Sequence, residues 1–206
     1  MTLPDSVYAH PTALCDSHDI GRGTRIWAYV HVMQDVHVGV ECNLSDHVFV
    51  ESGAYIGDRV TVKNHVLIWR GIHIEDDVFV GPGAIFTNDR YPRSPRMAGV
   101  PAVTRRYSHT DHWLVPTRVC RGASLGGGAL ILPGITIGTY AMIAAGAIVT
   151  HDVIPHQLIV GNPGRHQGWV CFCGRRLSRS EAGAWMCSTC KHRFQQTAQE
   201  LLLCTD

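Results

Sequence analysis

The sequence predicts an all-β chain that coils into a parallel β-helix, and three observations lead to this fold class. An aliphatic or aromatic residue returns at every sixth position, turn-forming residues fill the positions between, and the pattern runs through most of the chain. A period of six fits neither an α-helix nor an ordinary alternating strand, so each unit combines a short strand with a corner. Three units make one coil of about 18 residues, and stacked coils bury the repeating side chains. The predicted core positions are Ile20, Ile26, Val32, Val38, Leu44, Val50, Ile56, Val62, Ile68, Ile74, Val80 and Phe86, followed by Val119, Leu125, Ile131, Ile137, Ile143 and Val149.

The interior of each six-residue unit explains why the chain turns. In the segment from Ile56 to Thr61, the first residue is aliphatic, the fifth is the β-branched Val60, and Gly57 and Asp58 lie between them. Gly, Asp and Asn tolerate the left-handed backbone that a tight corner requires. We therefore expect a β-helix domain over residues 1–168, with these residue types at its corners.

The repeat is interrupted once, between Asn88 and about Thr117. Pro92 and Pro95 cannot continue the regular strand pairing, because proline lacks the backbone N–H group. An ordered loop of this length is more often functional than accidental. The sequence therefore predicts a loop inserted over about residues 88–117.

The chain after the helix, residues 169–206, has a different pattern, in which cysteines occur in two close pairs. Cys171 and Cys173 form the first pair, and Cys187 and Cys190 form the second. Two cysteine pairs at this spacing predict a zinc ribbon with a closed tetrahedral site. A disulfide pair or a set of unrelated thiols would also fit the spacing, and a cytoplasmic setting disfavours disulfides. Four cysteine ligands leave no open coordination position, so this zinc is expected to be structural.

The overall composition excludes several classes of protein. The 206 residues carry a formal net charge of +1 and 17% charged side chains, which gives no electrostatic signature for a nucleic-acid or membrane partner. No apolar run reaches the 18 residues that a membrane-spanning helix needs. We expect a soluble cytoplasmic protein without either partner.

Several segments carry a family resemblance: Ile26-Trp27, the run from Val62 to Pro82, Phe86-Thr-Asn-Asp89 with Pro92-Arg93-Ser94, Gly122 to Gly126, Gly134 to Gly138, Gly161-Asn-Pro-Gly164 and Gly168-Trp169. They resemble bacterial nucleotide-sugar N-acetyltransferases, in particular those acting on UDP-2-acetamido-3-amino-2,3-dideoxyglucuronate and on dTDP-3-amino-3,6-dideoxyhexoses. The resemblance implies a left-handed helix, acetyl-CoA as acetyl donor, the amine of a nucleotide-linked 3-amino sugar as acceptor, and a homotrimer with sites between adjacent subunits.

The chain departs from the family pattern at three places. Lys63-Asn64 stands where the family usually has Gln-Asn, and Gly127-Gly128 stands where it has Ala-Asn. Both lie near the expected substrate or cofactor positions, so they bear on the identity of the sugar. In the closing turn, Arg165 replaces a lysine and preserves the positive charge.

Three residues are candidates for the chemistry. The resemblance implies that the side-chain oxygen of Asn88 orients the attacking amine, whereas a purely structural asparagine there would only begin a turn. Asp89 can accept the proton of the amine or fix the loop through an Asx turn, and both roles stay open. His65, next to Asn64, is the best alternative base.

Further residues are expected to bind the two substrates. Arg70 lies 18 residues before Asn88, and Trp69 and Glu51 fall in the column of Thr87, so the coil repeat places a polar ledge beside Asn88. Arg93 lies in the Pro-Arg-Ser segment and suits a diphosphate or a sugar carboxylate. Coenzyme A is expected along the last coils, and its predicted contacts are Gly126, Gly127, Ala144, Gly146 and Arg165.

Three further functions compete with this one. Trimeric carbonic anhydrases share this type of helix, but the third ligand that should accompany His37 and His73 would fall on Val78. The second competing function is an acetyltransferase for another small amine or hydroxyl acceptor, and the third is a non-enzymatic trimeric scaffold. Binding of acetyl-CoA distinguishes a transferase from a scaffold.

Overall fold

The computed structural model describes residues 6–180, 183–197 and 201–204. Its main body is a parallel β-helix of about eight turns, which confirms the predicted fold class. The strands of the helix are β1 (Tyr8–Ala9), β2 (Leu14–Cys15), β3 (Asp19–Ile20), β4 (Arg25–Ile26), β5 (His31–Val32), β6 (His37–Val38), β7 (Asn43–Leu44), β8 (Phe49–Val50), β9 (Tyr55–Ile56), β10 (Thr61–Val62), β11 (Leu67–Ile68), β12 (Ile72–Ile74), β13 (Phe79–Val80), β14 (Ile85–Phe86), β15 (Thr117–Val119), β16 (Ser124–Leu125), β17 (Leu130–Ile131), β18 (Thr136–Ile137), β19 (Met142–Ile143), β20 (Ile148–Val149), β21 (Gln157–Val160) and β22 (Arg165–Trp169).

Three sheets form the sides of the helix. Sheet 1 contains every third strand from β1 to β19, followed by β21 and β22; sheet 2 runs from β2 to β20, and sheet 3 runs from β3 to β18. From β3 to β14, and again from β15 to β20, neighbouring strands pair at a spacing of 18 residues, so Thr61 pairs with Asn43 and with Phe79. The three sheets are joined by three columns of corners. We call these the 1–2, 2–3 and 3–1 corners after the sheets that they join.

The interior of the helix is the predicted column of apolar side chains. Every position expected in the core is buried, and Ile20, the most exposed of them, has 6% of its surface accessible. A second column, which includes Val60 and Ala129, fills the remaining space. Ile68 is fully buried, and its truncation to alanine would cost about 2–5 kcal/mol of folding free energy.

The corners have the left-handed backbone that the sequence predicts, but at several 1–2 and 3–1 corners the residue is not Gly, Asp or Asn. Tyr29, His47 and His65 have φ values of 58°, 61° and 61°. Their rings stack at centroid distances of 5.0 Å and 4.9 Å. An aromatic pair contributes about 0.5–1.5 kcal/mol, comparable to the roughly 1–2 kcal/mol that a left-handed residue costs. Stacking between coils therefore offsets an unfavourable local conformation.

An inserted segment leaves the helix at the 2–3 corner, between the end of β14 at Phe86 and the start of β15 at Thr117. It contains one short helix, α1 (Pro101–Arg106), and a 3₁₀ turn at Thr110–His112. Asp89 and Leu114 form an antiparallel bridge that closes the base of the segment. Among the described residues, no helix is both long and apolar enough to cross a membrane.

The C-terminal residues form a separate antiparallel sheet with its own small core. Its strands are β23 (Ser178–Arg179), β24 (Trp185–Met186), β25 (Arg193–Gln196) and β26 (Leu201–Leu203). This sheet meets the helix through β22, which pairs antiparallel with β21, and through the buried ring of His156, which packs on Phe172 and Phe194. β22 spans both sides of the predicted boundary at residues 168 and 169, and the boundary stays a prediction.

Candidate active site and metal centre

Asn88 is the first residue to leave the helix after β14. The backbone N–H of Val115 donates to its carbonyl oxygen at 2.9 Å, and its side-chain Nδ2 donates to the carbonyl oxygen of Arg70 at 3.2 Å. A carbonyl can only accept, so the amide nitrogen must face Arg70. The side-chain oxygen of Asn88 is therefore turned away from that bond and is available to a donor from outside.

Asp89 lies behind Asn88 and is held by the loop. Its carboxylate accepts hydrogen bonds from the backbone N–H of Tyr91 at 2.9 Å, from the guanidinium of Arg106 and from the hydroxyl of Tyr107. The Asp89 side chain is only 11% exposed. These contacts favour the role of a loop anchor over that of a proton acceptor, and they link the start of the inserted segment to the end of α1.

The ledge predicted below Asn88 is present at the 2–3 corner. Glu51 Oε2 accepts the backbone N–H of Arg70 at 2.8 Å, and Arg70 Nε donates to the carbonyl oxygen of Ser52 at 3.1 Å. Trp69 lies partly buried against Phe49, with ring centroids 5.7 Å apart. The hydrogen bonds hold Arg70 against the coil below it, within contact of Asn88.

Arg93 lies further out in the loop. Its backbone N–H donates to the hydroxyl of Tyr107 at 3.0 Å, and its guanidinium donates to the carbonyl oxygen of Pro92. The same tyrosine thus contacts both Asp89 and Arg93, so the arginine is tied to the anchor of the loop. The exposed guanidinium is free to turn toward an anionic ligand.

A cavity of about 640 Å³ lies on the C-terminal side of Asn88, between the loop and the next two coils. Leu132, Thr150 and His151 line it together with Asp89 and Arg90. Thr150 Oγ1 and His151 Nδ1 are 2.8 Å apart, within hydrogen-bond distance. The other ring nitrogen of His151, Nε2, takes no part in this hydrogen bond. No motif in the sequence selects these three residues, although Leu132 and Thr150 follow the 18-residue repeat at the corner that carries the loop.

The residues expected to bind coenzyme A lie at another corner, the 1–2 corner. A Cβ at Gly126 would come within 2.4 Å of the backbone nitrogen of Ala145, so the stacking of the coils itself requires glycine there. Gly146 has a φ of 69° and no atom within 4 Å of the place where a Cβ would lie. Gly127 and Ala144 belong to the same corner, so this glycine strip is open at Gly146 and packed against the next coil at Gly126. Arg165 begins β22 beyond this strip and is exposed, with its guanidinium bonded to the carbonyl oxygen of Gly164.

His65 also lies at the 1–2 corner and not beside Asn88. Its ring is exposed and stacks on His47, and the described contacts include no hydrogen bond between His65 and any residue of the 2–3 corner. Within one chain, the structure therefore separates the candidate residues into two groups. Asn88, Asp89, Arg70, Trp69 and Glu51 occupy the 2–3 corner, and His65 shares the 1–2 corner with the glycine strip.

The outer face of sheet 2 lies between these two corners and is largely apolar. Leu14 is 53% exposed, Leu67 is 42% exposed and Ile85 is 47% exposed, and all three point outward from strands of the same sheet. Phe49 belongs to the same stripe. Such an apolar stripe marks a surface that favours contact with another protein surface.

The four predicted metal ligands converge in the C-terminal module. The Sγ atoms of Cys171, Cys173, Cys187 and Cys190 all lie within 4.8 Å of one another, and adjacent pairs are 3.3–3.6 Å apart. Four sulfurs at 2.3 Å from a tetrahedral zinc would be about 3.8 Å apart, so the cluster fits the ion. The four thiols do not titrate alike: hydrogen bonding from the backbone of Cys190 lowers the pKa of the Cys187 thiol to about 6, whereas burial raises the pKa of the Cys171 thiol to about 12. In the described part of the chain, this is the only group of three or more potential metal ligands whose ligand atoms lie so near one another.

Comparison with known proteins identifies the family. The dTDP-3-amino-3,6-dideoxy-α-D-galactopyranose 3-N-acetyltransferase of Aneurinibacillus thermoaerophilus is 41% identical over 173 residues, which cover 84% of this chain and 83% of the relative. The chain belongs to the family of nucleotide-sugar N-acetyltransferases. No family model matches this acetyltransferase.

Two solved structures are also similar to this acetyltransferase. A mutant GDP-perosamine N-acetyltransferase from Caulobacter crescentus, in complex with CoA and GDP-perosamine, is 18% identical with a TM-score of 0.47, over 81% of this chain and 55% of its own. The acetyltransferase domain of PglB from Neisseria gonorrhoeae is likewise 18% identical with a TM-score of 0.47, over 80% of this chain and 56% of its own.

The histidines of the acetyltransferase do not form an anhydrase site. His37 and His73 lie two coils apart, as the repeat predicts, but the ring of Tyr55 lies between them, with centroid distances of 4.5 Å and 4.3 Å. The three rings are nearly parallel, so the two imidazoles are part of a stack on sheet 3. This arrangement agrees with the missing third ligand at Val78.

Proposed function

We propose that this protein transfers the acetyl group of acetyl-CoA to the amino group at C3 of a nucleotide-linked amino sugar. The observation that carries the proposal is the 41% identity, over most of both chains, to an enzyme with this specificity. The geometry around Asn88 supports the same reaction, because a side-chain oxygen there is free to accept a hydrogen bond from a substrate amine.

Direct attack by the amine accounts for the chemistry. The amine of a 3-amino sugar is expected to titrate near the α-amino reference of about 7.7–8.0, so much of it is already neutral at cytoplasmic pH. Asn88 orients this amine, whose nitrogen attacks the thioester carbonyl carbon. The new C–N bond forms as the C–S bond breaks, the sulfur leaves as a thiolate, and the surplus proton of the amine passes to the thiolate or to water. Orientation of the nucleophile is then the main contribution of the enzyme, and His65 is the alternative base if one is needed.

A homotrimer completes the site. If three copies place their apolar sheet 2 toward a common three-fold axis, the 2–3 corner of each subunit meets the 1–2 corner of the next at the same height. Asn88, Asp89, Arg70, Trp69 and Glu51 of one subunit then face His65 and the glycine strip of its neighbour. The exposed stripe of Leu14, Leu67 and Ile85 supports this arrangement, since it would be covered in the trimer.

Acetyl-CoA occupies the C-terminal half of the groove between two such corners. Backbone groups at Gly126, Gly127, Ala144 and Gly146 of one subunit bind the pantetheine amides, and Arg165 meets a phosphate of the nucleotide end. The cavity beside Leu132 and His151 of the other subunit forms the opposite wall. The thioester then ends next to Asn88.

The cysteine cluster binds a structural zinc ion. Cys171, Cys173, Cys187 and Cys190 fill all four tetrahedral positions, so the ion holds the C-terminal module together and takes no part in the transfer. Four reduced thiols suit a protein of the cytoplasm.

Assaying acetyl transfer to a panel of dTDP- and UDP-linked 3-amino, 4-amino and 3-hydroxy sugars tests the function directly. We expect release of free coenzyme A thiol with at least one 3-amino sugar and none with the corresponding 3-hydroxy sugars. Thiol release only with 4-amino sugars would contradict the assignment to C3. Failure of every amino sugar, with acetyl-CoA still bound, would contradict the assignment to this substrate class.

A further inference from the structure

The strongest observation outside the residues already discussed is a positively charged side chain in a small cavity at the 1–2 corner. Lys63 lines a cavity of about 310 Å³ together with Trp27, Asn43, Ser45, Asp46 and Asn64. Lys63 is one of only two lysines in the chain, the other being Lys191. In the sequence, Lys63 stands out only as a departure from the family pattern.

The described residues provide no close counter-ion for the positive charge of Lys63. Its side chain is partly buried, and in the described part of the chain no carboxylate lies within 4.0 Å of its ammonium group. Asp46, the acid in the same cavity, accepts the backbone N–H of Ala28 at 3.2 Å. Asn43 uses its amide on Trp27 and Ser45. A partly buried lysine with no carboxylate in direct contact favours an anionic ligand.

The position of Lys63 along the helix axis suggests which anion it meets. Lys63 stands in the same corner column as Gly126 and Ala144, but on the opposite side of the level of Asn88. Asn88 follows Lys63 by 25 residues, about 1.4 coils, which corresponds to about 7 Å along the axis at the usual spacing between strands. Acetyl-CoA approaches Asn88 from the C-terminal coils, so the rest of the amino-sugar substrate must extend toward the N-terminal coils.

The covalent structure of the substrate then places its diphosphate near Lys63. In a nucleotide-linked 3-amino hexose, one sugar ring separates the reacting amine from the anomeric phosphate. That separation is comparable to the axial distance between Asn88 of one subunit and Lys63 of the next. We propose that Lys63 binds the diphosphate of the nucleotide-linked sugar and so sets its affinity, an inference that rests on the proposed function and on the trimer described there.

Chemical labelling tests this without changing the chain. With two lysines, reductive methylation of the whole protein followed by mass spectrometry reports Lys63 and Lys191 separately. We expect saturating dTDP or UDP alone to slow methylation of Lys63 by about 10-fold or more, because a charge-assisted contact removes the amine from solvent. Lys191, whose Nζ donates to the carbonyl oxygen of Ser188 at 2.7 Å, serves as the internal control and should react at an unchanged rate.

Two substitutions measure the size of the contact. Lys63→Gln should raise the Kd for dTDP or UDP and the KM for the nucleotide sugar by about 10-fold or more, the usual range for a hydrogen bond to a charged group. Its kcat should stay within about 3-fold, because the lysine acts equally in the ground and transition states. Lys63→Arg should restore affinity to within a few-fold, and Lys191→Gln should change neither constant.

Each other outcome has a definite meaning. If dTDP and UDP bind but leave Lys63 reactive, or if only coenzyme A protects it, Lys63 does not bind the diphosphate. Protection by the complete nucleotide sugar alone would assign Lys63 to a group on the sugar, such as a carboxylate, and would also overturn the proposal. An active enzyme with an unprotected Lys63 contradicts this inference alone, whereas a protein that binds no nucleotide sugar contradicts the proposed function as well.

Discussion

The 2–3 corner and the 1–2 corner are built from the same 18-residue coil, yet they offer different chemistry to a ligand. At the 2–3 corner, an inserted loop fixes polar side chains: Asn88 on Arg70, and Asp89 on Arg106. At the 1–2 corner no loop is inserted, and the backbone itself is open to a ligand at Gly146. The repeat thus determines where corners lie, and local departures from it determine which corner carries polar side chains on a loop and which corner presents backbone.

The largest effect is expected from truncating the orienting side chain of the 2–3 corner. Asn88→Ala should lower kcat for acetyl transfer by about 10²-fold or more, because the amine loses the acceptor that directs it, while acetyl-CoA affinity changes little. Asn88→Asp keeps an oxygen of similar position and should retain more activity. Steady-state kinetics with the correct sugar decide the matter, and near wild-type turnover of Asn88→Ala would remove this residue from the mechanism.

A smaller effect is expected from breaking the contact between Asp89 and Arg106, which anchors the loop behind Asn88. Asp89→Asn and Arg106→Met each remove the charge-assisted contact that holds the loop, and each should lower kcat by about 10-fold as Asn88 loses its fixed position. The double variant should be little worse than either single variant, since both break one interaction. If Asp89 instead accepted the proton of the amine, Asp89→Asn would be far more damaging than Arg106→Met, and it alone would change the pH–rate profile.

The core, the inserted loop and the 1–2 corner differ in how much of their structure could be predicted from the sequence. Every position from Ile20 to Val149 that the six-residue period predicted to be in the core is buried. The prediction succeeds because the period records the same inward-facing position in each unit. The loop does not follow that period, so the partners of Asp89, 17 and 18 residues away, had no pattern to reveal them. The 18-residue spacing places His65 above His47, but it did not reveal the left-handed backbone of His65, because an aromatic residue rarely adopts that conformation.

Removal of the proposed zinc ion should affect neither corner directly. Chelation should unfold the residues after about Trp169, whose small core contains two of the cysteines, while the β-helix persists on its own stacked coils. Acetyl-CoA affinity should weaken by only a few-fold, because the module docks on the last coils through β22. Metal analysis and hydrogen exchange of the chelated protein measure the structural part, and single-turnover acetylation measures the chemical part. Abolished chemistry in a chelated protein that keeps the oligomeric state of the untreated protein would show that the proposed zinc ion takes part in the reaction.

The smallest effect is expected at the 1–2 corner, from the residue that chemistry alone would select as a base. His65 has an exposed imidazole, but its ring lies on His47 and its corner meets Asn88 only in the proposed trimer. If the amine of the substrate reacts in its neutral form, the rate should rise with pH along the titration of that amine. His65→Asn should then keep its activity within a few-fold and leave this pH dependence unchanged, whereas the loss of one stacked pair should lower the free energy of unfolding by about 0.5–1.5 kcal/mol. A comparison of pH–rate profiles for the two proteins provides the test. A fall of several orders of magnitude in a folded His65→Asn variant would make the 1–2 corner a source of chemistry, and the distinction between the two corners would be wrong.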